Sequence, residues 1–315
     1  MNRIDFLHEK INEALSRHAV GVYAEFKQNI NKFINYNIRF LFDIDEFERK
    51  YFDYYLPASK EYSKSIVPAE EVMDIREKYS LHSGYFEEPV QECLRSGYVA
   101  VYHKVESLVK HIEAFVNGKN YGIFRDYGSE NPHLLSELSM YDLKKEQLYK
   151  TETTANIIVN RIRVIANCCK HDDGYLLPSN GSIAKLAMKI DSENRIVLDE
   201  LGFMYNIRFL KAYAQLLFHL VASMMLKGTL ESVIKKYVEN NYEELLGDEI
   251  RIELVQFRQE KLEAESNIHS AIDAIKANDE VVFWQKLCEL DIVKTVPIQD
   301  LTPEQESQVL WKRYD

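Results

Sequence analysis

The chain predicts an all-α fold, a helical bundle, on three observations. Glycine and proline, the strongest helix breakers, number only 11 and 7 among 315 residues, so long stretches run without punctuation. Apolar residues recur at steps of three and four along those stretches, the period of one helix face. Apolar residues make up 46% of the chain, with 20 Tyr and 15 Phe, enough to fill one large core or two modest ones.

Taken in order, residues 5–42 read as one or two amphipathic helices, followed by an aromatic, charged stretch at 47–62. Pro68 and the 80–89 segment mark breaks. Pro89 suits a helix start, where its missing N–H would have no partner anyway. Residues 90–116 then form a long helix with Val101, Val105, Leu108 and Ile112 on its apolar face. The polar 117–139 segment, with GKNYG and DYGSENP, reads as a loop. A helix over 153–171 ends at Asp172-Asp173-Gly174, where glycine supplies a left-handed cap. A turn, a short helix near 183–190 and an extended 195–198 segment lead to a helix at 203–226 that closes the bundle. Helices at 231–245, 249–277 and 281–290 and a proline-bearing tail at 297–305 complete the chain. Three regions result: 1–88, an N-terminal helical region; 89–228, the bundle; and 229–315, a C-terminal helical region and tail, with the second boundary at Gly228.

The charged opening MNRIDFLHEK lacks the apolar centre of an export signal. The most apolar run, 212–226, is interrupted by Gln215 and His219, too short to cross a bilayer, and reads as a buried helix. Four cysteines, two of them adjacent at 168 and 169, match neither a metal-binding spacing nor a disulfide framework. The expectation is a cytoplasmic protein with no metal, no cofactor and no membrane partner. A formal net charge of −11 excludes a broad basic face, so RNA would need a local patch such as Arg161, Arg163, Lys170 and Lys185, or cations from a second chain.

Chemistry concentrates in TTANIIVNRIRVIANCCKHDDG, residues 153–174. Asn156, Asn160, Arg163, Asn167, Lys170 and His171 recur at steps of three and four and form one polar stripe, while Ile158, Ile162, Ile165, Cys168 and Cys169 fall largely elsewhere. A guanidinium, a carboxamide, an amine and an imidazole near one helix end suit phosphate chemistry. The helix dipole and two aspartates favour the imidazolium of His171, and Lys170 and Arg163 oppose it. The plain alternative is a solvated helix face, with Arg163 merely paired to Glu106. His103, His111 and His219 read as surface or core histidines, since no ligand spacing accompanies them.

The run from Arg163 to Gly174 resembles the signature helix of HEPN-superfamily domains, all-helical proteins in which an arginine and a downstream histidine close one helix. The resemblance covers roughly residues 90–227. It departs from the family pattern in one respect: seven residues separate Arg163 from His171, where four to six are usual, while Asn167 and His171 are separated by three. The resemblance implies an up-down bundle with additional terminal helices and a metal-independent endoribonuclease acting as a toxic effector in bacterial anti-phage or toxin–antitoxin systems. It implies His171 as proton carrier, Arg163 and Lys170 as charge stabilisers and Asn167 as orienter, with support from Glu106 and His103 on the neighbouring helix. It also implies RNA as substrate, a homodimer that brings two signature helices together, and a regulatory or antitoxin partner. In the subgroup neutralised by a nucleotidyltransferase a tyrosine lies two residues after the histidine; here Tyr175 lies four after His171. The other reading is a non-catalytic HEPN-like module that binds a nucleotide, RNA or a partner protein within a larger complex.

Overall fold

The structure is a computed structural model that describes residues 20–65, 88–117, 153–176, 190, 194–239 and 248–294. The expected loop after Asn117, the helix expected near 183–190 (except for Ile190), Lys185 and the tail from 297 lie outside the described residues. Among the described residues seven α-helices carry the fold: α1 Val20–Lys50, α2 Leu56–Ser65, α3 Glu88–Asn117, α4 Thr154–His171, α5 Glu200–Glu239, α6 Asp248–Ile275 and α7 Glu280–Glu289. A π-helical turn, Tyr51–Tyr55, joins α1 to α2. No strand forms among the described residues; the extended 195–198 segment contributes to two isolated antiparallel bridges, Tyr175 with Arg195 and Ile190 with Ile196.

Local chemistry fixes the helix ends. Thr153 caps α4, its hydroxyl oxygen accepting the Asn156 N–H at 3.3 Å, and Asp279 caps α7, its carboxylate accepting the Val282 N–H at 3.0 Å. Both caps satisfy donors that a helix start otherwise leaves without partners.

α3, α4 and α5 pack on one another; α1 lies on α5, α2 on α3, α6 on α5, and α7 on both α6 and α4. α5 is the central helix, buried over most of its circumference by residues such as Phe203, Phe209, Tyr213, Leu217 and Val221. It is long and apolar enough to cross a membrane, but 72% of its most apolar window is covered by the rest of the fold, as a core helix requires. The separate helices expected at 203–226 and 231–245 are corrected here: α5 runs unbroken from Glu200 to Glu239, through Gly228. One glycine among strong helix formers and tightly packed neighbours does not stop a helix.

Gly97 sets how closely α3 approaches this core. A Cβ there would lie 2.4 Å from Phe203 Cζ and 2.9 Å from Tyr51 Cε1. Phe203 is itself ringed by Tyr51, Phe47, Phe52 and Tyr98, at centroid distances of 4.9 to 6.3 Å. Phe47, Tyr51 and Phe52 of the aromatic stretch at 47–62 therefore pack the core, whereas its Tyr54, Tyr55 and Tyr62 are exposed.

Candidate functional site: the C-terminal end of α4

The polar stripe of α4 divides into two groups. Arg163, half-buried, bends towards the helix N-terminus and donates to Asn160 Oδ1 from Nε at 3.0 Å and from Nη2 at 2.8 Å. Its charge also acts on Tyr102 of α3, whose hydroxyl burial pushes up to about 12, with Glu106 adding to the rise and Arg163 opposing it. Glu106 accepts from His103 at 3.0 Å, a pair within one turn of α3. Arg163, Asn160, Tyr102, Glu106 and His103 thus form one group at mid-helix.

The second group is the end of the helix. Lys170 and His171 are exposed there, and Asn167, half-buried, lies one turn back. His171 lies eight positions after Arg163, about 12 Å of axial rise, and the guanidinium points the other way. One chain does not bring Arg163 and His171 onto a single phosphate.

The chain leaves α4 through a braced corner. Asp173 and Gly174 both take left-handed backbone, φ 52° and 85°, where glycine alone was expected. The Gly174 N–H donates to Cys168 O at 3.0 Å, closing the helix end. Arg195 locks the turn, donating from Nε to Asp173 O at 2.8 Å and from Nη2 to Asp173 Oδ2 at 2.9 Å, while its guanidinium covers the Tyr175 ring at 5.3 Å. The Leu176 N–H to Asn194 O and Ile196 N–H to Gly174 O bonds tie the two segments together. From α3, buried Arg95 brings its Nε to within 2.9 Å of where a Cβ on Gly174 would sit, so only glycine admits it there. Burial holds the Cys169 thiol at this corner up near 12, with Arg95 opposing, so it stays protonated at neutral pH.

Arg161 corrects the surface-patch expectation. It is 0% exposed and faces the bundle interior. Its Nη2 donates to Asn206 Oδ1 at 2.8 Å, and Asn206 Nδ2 donates to the Tyr98 hydroxyl at 2.8 Å. Beside it, the Tyr205 hydroxyl donates to Glu280 and accepts from Trp284 Nε1 at 2.8 Å. Burial draws the Arg161 guanidinium down to about 10, and the negative charge of Glu280 is the largest influence in the other direction. Arg161 therefore stays charged at neutral pH, its charge balanced by α7.

Arg95 and Arg195 escaped the sequence reading. Arg95 lies on the apolar stripe with Tyr98, Tyr102 and Val105, at steps of three, four and three, and an arginine on such a stripe is itself a signal of a buried cation. Arg195 reaches the corner through a long-range pairing that local periodicity does not report. Among the described residues no group of three or more His, Cys, Asp or Glu side chains is placed to hold a metal ion. No family model, curated protein or solved structure matches the chain.

Proposed function

We propose that this protein is a HEPN-like helical module that engages RNA phosphate through the end of α4, serving bacterial anti-phage or toxin-type physiology. One observation carries the reading: the exposed Lys170 and His171 sit beside a corner that Arg195 braces through Asp173 and Arg95 packs against, so a cationic, hydrogen-bonding surface is held in solvent. Phosphate contacts from such a surface position a strand without reading its sequence. Binding should weaken steeply with salt. The test is fluorescence anisotropy with a single-stranded RNA at two salt concentrations: Lys170→Ala and His171→Ala should each weaken binding, with circular dichroism unchanged. Equal binding by wild type and both variants would remove the end of α4 from the interface.

Metal-independent RNA cleavage is the second reading, favoured by the exposed imidazole of His171 next to the Lys170 amine. His171 would take the proton of a 2′-hydroxyl, the 2′-oxygen would attack phosphorus, and the 5′-oxygen would leave with a proton, giving a 2′,3′-cyclic phosphate and a 5′-hydroxyl. Lys170 would stabilise the charge of the transition state. Arg163, tied to Asn160, would not reach the same phosphate, so a second guanidinium would have to come from a homodimer partner. Incubation with total RNA in EDTA, beside His171→Ala, separates the readings: cleavage lost in the variant establishes the nuclease, and binding without cleavage leaves the module.

A further inference from the structure

Away from α4, on the far side of α3, helices α1 and α3 diverge around a cleft of about 240 Å³ lined by Tyr36, Arg39, Phe40, Asp43, Lys104 and Ser107. Its chemistry is mixed in a specific way. Arg39 and Asp43 lie four residues apart on α1, a spacing that permits an ion pair, yet neither closes an ion pair with a described residue. Lys104 faces them from α3, its ammonium 5.7 Å from the Phe47 ring centroid. The floor is apolar and fixed: Phe40 is buried, and Tyr36 is stacked on His111 with ring centroids 3.3 Å apart and hydrogen-bonded to Ser107. One face of Tyr36 is thus already covered. Both rings are neutral at pH 7, because burial raises the Tyr36 hydroxyl and lowers His111.

We propose that this cleft binds a free α-amino acid with an apolar side chain. Two cations, Arg39 on α1 and Lys104 on α3, and one carboxylate, Asp43 on α1, match a zwitterion: its carboxylate lies between Arg39 and Lys104, its ammonium against Asp43, and its side chain against Phe40 and Tyr36. Size favours the same class. At about 30 Å³ per water, the cavity holds roughly eight solvent molecules, below the span of drug-sized ligands. Recognition requires both charged groups of the ligand, since either alone leaves Asp43 or the cations without a partner.

The experiment is thermal unfolding of the full chain with L-leucine, L-methionine or L-phenylalanine at about 10 mM, followed by calorimetric titration of whichever acts. Isocaproate, which lacks the ammonium, isoamylamine, which lacks the carboxylate, and inorganic phosphate are the controls. A ligand that binds the folded state alone raises the midpoint, here by about 2 °C. Arg39→Ala and Lys104→Ala should each raise the Kd at least about tenfold, and Asp43→Asn should abolish the preference for leucine over isocaproate. All three side chains lie at the surface or partly buried, so ligand-free midpoints should match the wild type; any variant that melts early is replaced by Arg39→Lys or Lys104→Gln. The proposal is overturned if none of the three amino acids shifts the midpoint, if phosphate shifts it as much, or if the shift persists in every variant.

Discussion

Replacing Gly97 by alanine sets two known effects against each other at one atom. In a helix interior alanine is favoured over glycine by about 0.8–1.0 kcal/mol. Against that, the new Cβ would lie 2.4 Å from Phe203 Cζ and 2.9 Å from Tyr51 Cε1, so two rings must move. Neither is a flexible chain end: Phe203 is 0% exposed and held by four other aromatic rings. Overpacking of a filled core costs about 1–3 kcal/mol, and a contact this short on a hemmed-in ring belongs in the upper part of that range. The expected net loss is about 1–2 kcal/mol. Urea denaturation followed by circular dichroism should show a lower midpoint with an unchanged slope. Phe203→Leu shortens the ring that meets the Cβ, so Gly97→Ala added to Phe203→Leu should cost less than Gly97→Ala alone, a coupling between contacting residues. If Gly97→Ala proves as stable as wild type, α3 and α5 are not in the close contact that assigns Gly97 its role.

Arg161→Ala leaves Glu280 buried without its cation and should destabilise by about 3–5 kcal/mol in chemical denaturation, whereas Arg161→Met beside Glu280→Gln should recover much of that loss. Burial raises the Glu280 carboxyl above its ordinary 4.5, so the folded state holds its proton more tightly than the unfolded state; the associated stability is present below 4.5 and is lost as pH rises through the raised value, a slope that Glu280→Gln should remove from a pH series of denaturation curves. Burial lowers the His219 imidazole below 6.5, so its contribution is present above 6.5 and is lost as pH falls through the lowered value; His219→Gln should flatten stability there. Lys227 and Lys261 alternate with Glu231 and Glu265 across the α5–α6 seam at 3.1–3.7 Å, and a double-mutant cycle on Lys227 and Glu265 should return a coupling of about 0.5–1 kcal/mol that shrinks in high salt.

Much of the fold was legible because helix periodicity is local. The α4 helix ends at His171 as its sequence indicates, and the span of α3 follows from Pro89 and the spacing of Val101, Val105, Leu108 and Ile112. Continuity of α5 was not legible, since the charged residues after Gly228 resemble the start of a new amphipathic helix, and only packing against α6 shows that they continue the old one. The candidate site was half legible. Periodicity placed Lys170 and His171 on exposed surface, but it could not show that Arg163 would turn back to Asn160, a choice made by neighbouring side chains. Arg161 was read as surface from its charge, although its steps from Ile158 and to Ile165 put it on the buried stripe. Pattern outweighed residue type there, because Glu280 and Asn206, both distant in sequence, supply the compensation that burial of a guanidinium needs.

The same network bears on how the end of α4 is held. The Thr154 N–H donates to Ala277 O at 2.9 Å, and Arg161, two turns along, faces Glu280 and the Tyr205–Trp284 pair, so the N-terminal half of α4 is anchored to residues at the α6–α7 junction. Its C-terminal end is anchored separately, by the bonds of Arg195 to Asp173, with Arg95 packed against Gly174. These contacts at both ends set the direction in which Lys170 and His171 face. Local charge at the corner is modest: Arg95, Arg195 and Lys170 stand against Asp172 and Asp173, one net positive charge with His171 neutral, in a chain of formal charge −11. Attraction of a polyanion to such a surface is short-ranged and depends on position rather than on bulk charge. Rigid anchoring at both ends of α4 is therefore what the proposed contact with RNA phosphate most requires, because a weak local field acts only where its few cations are held in place.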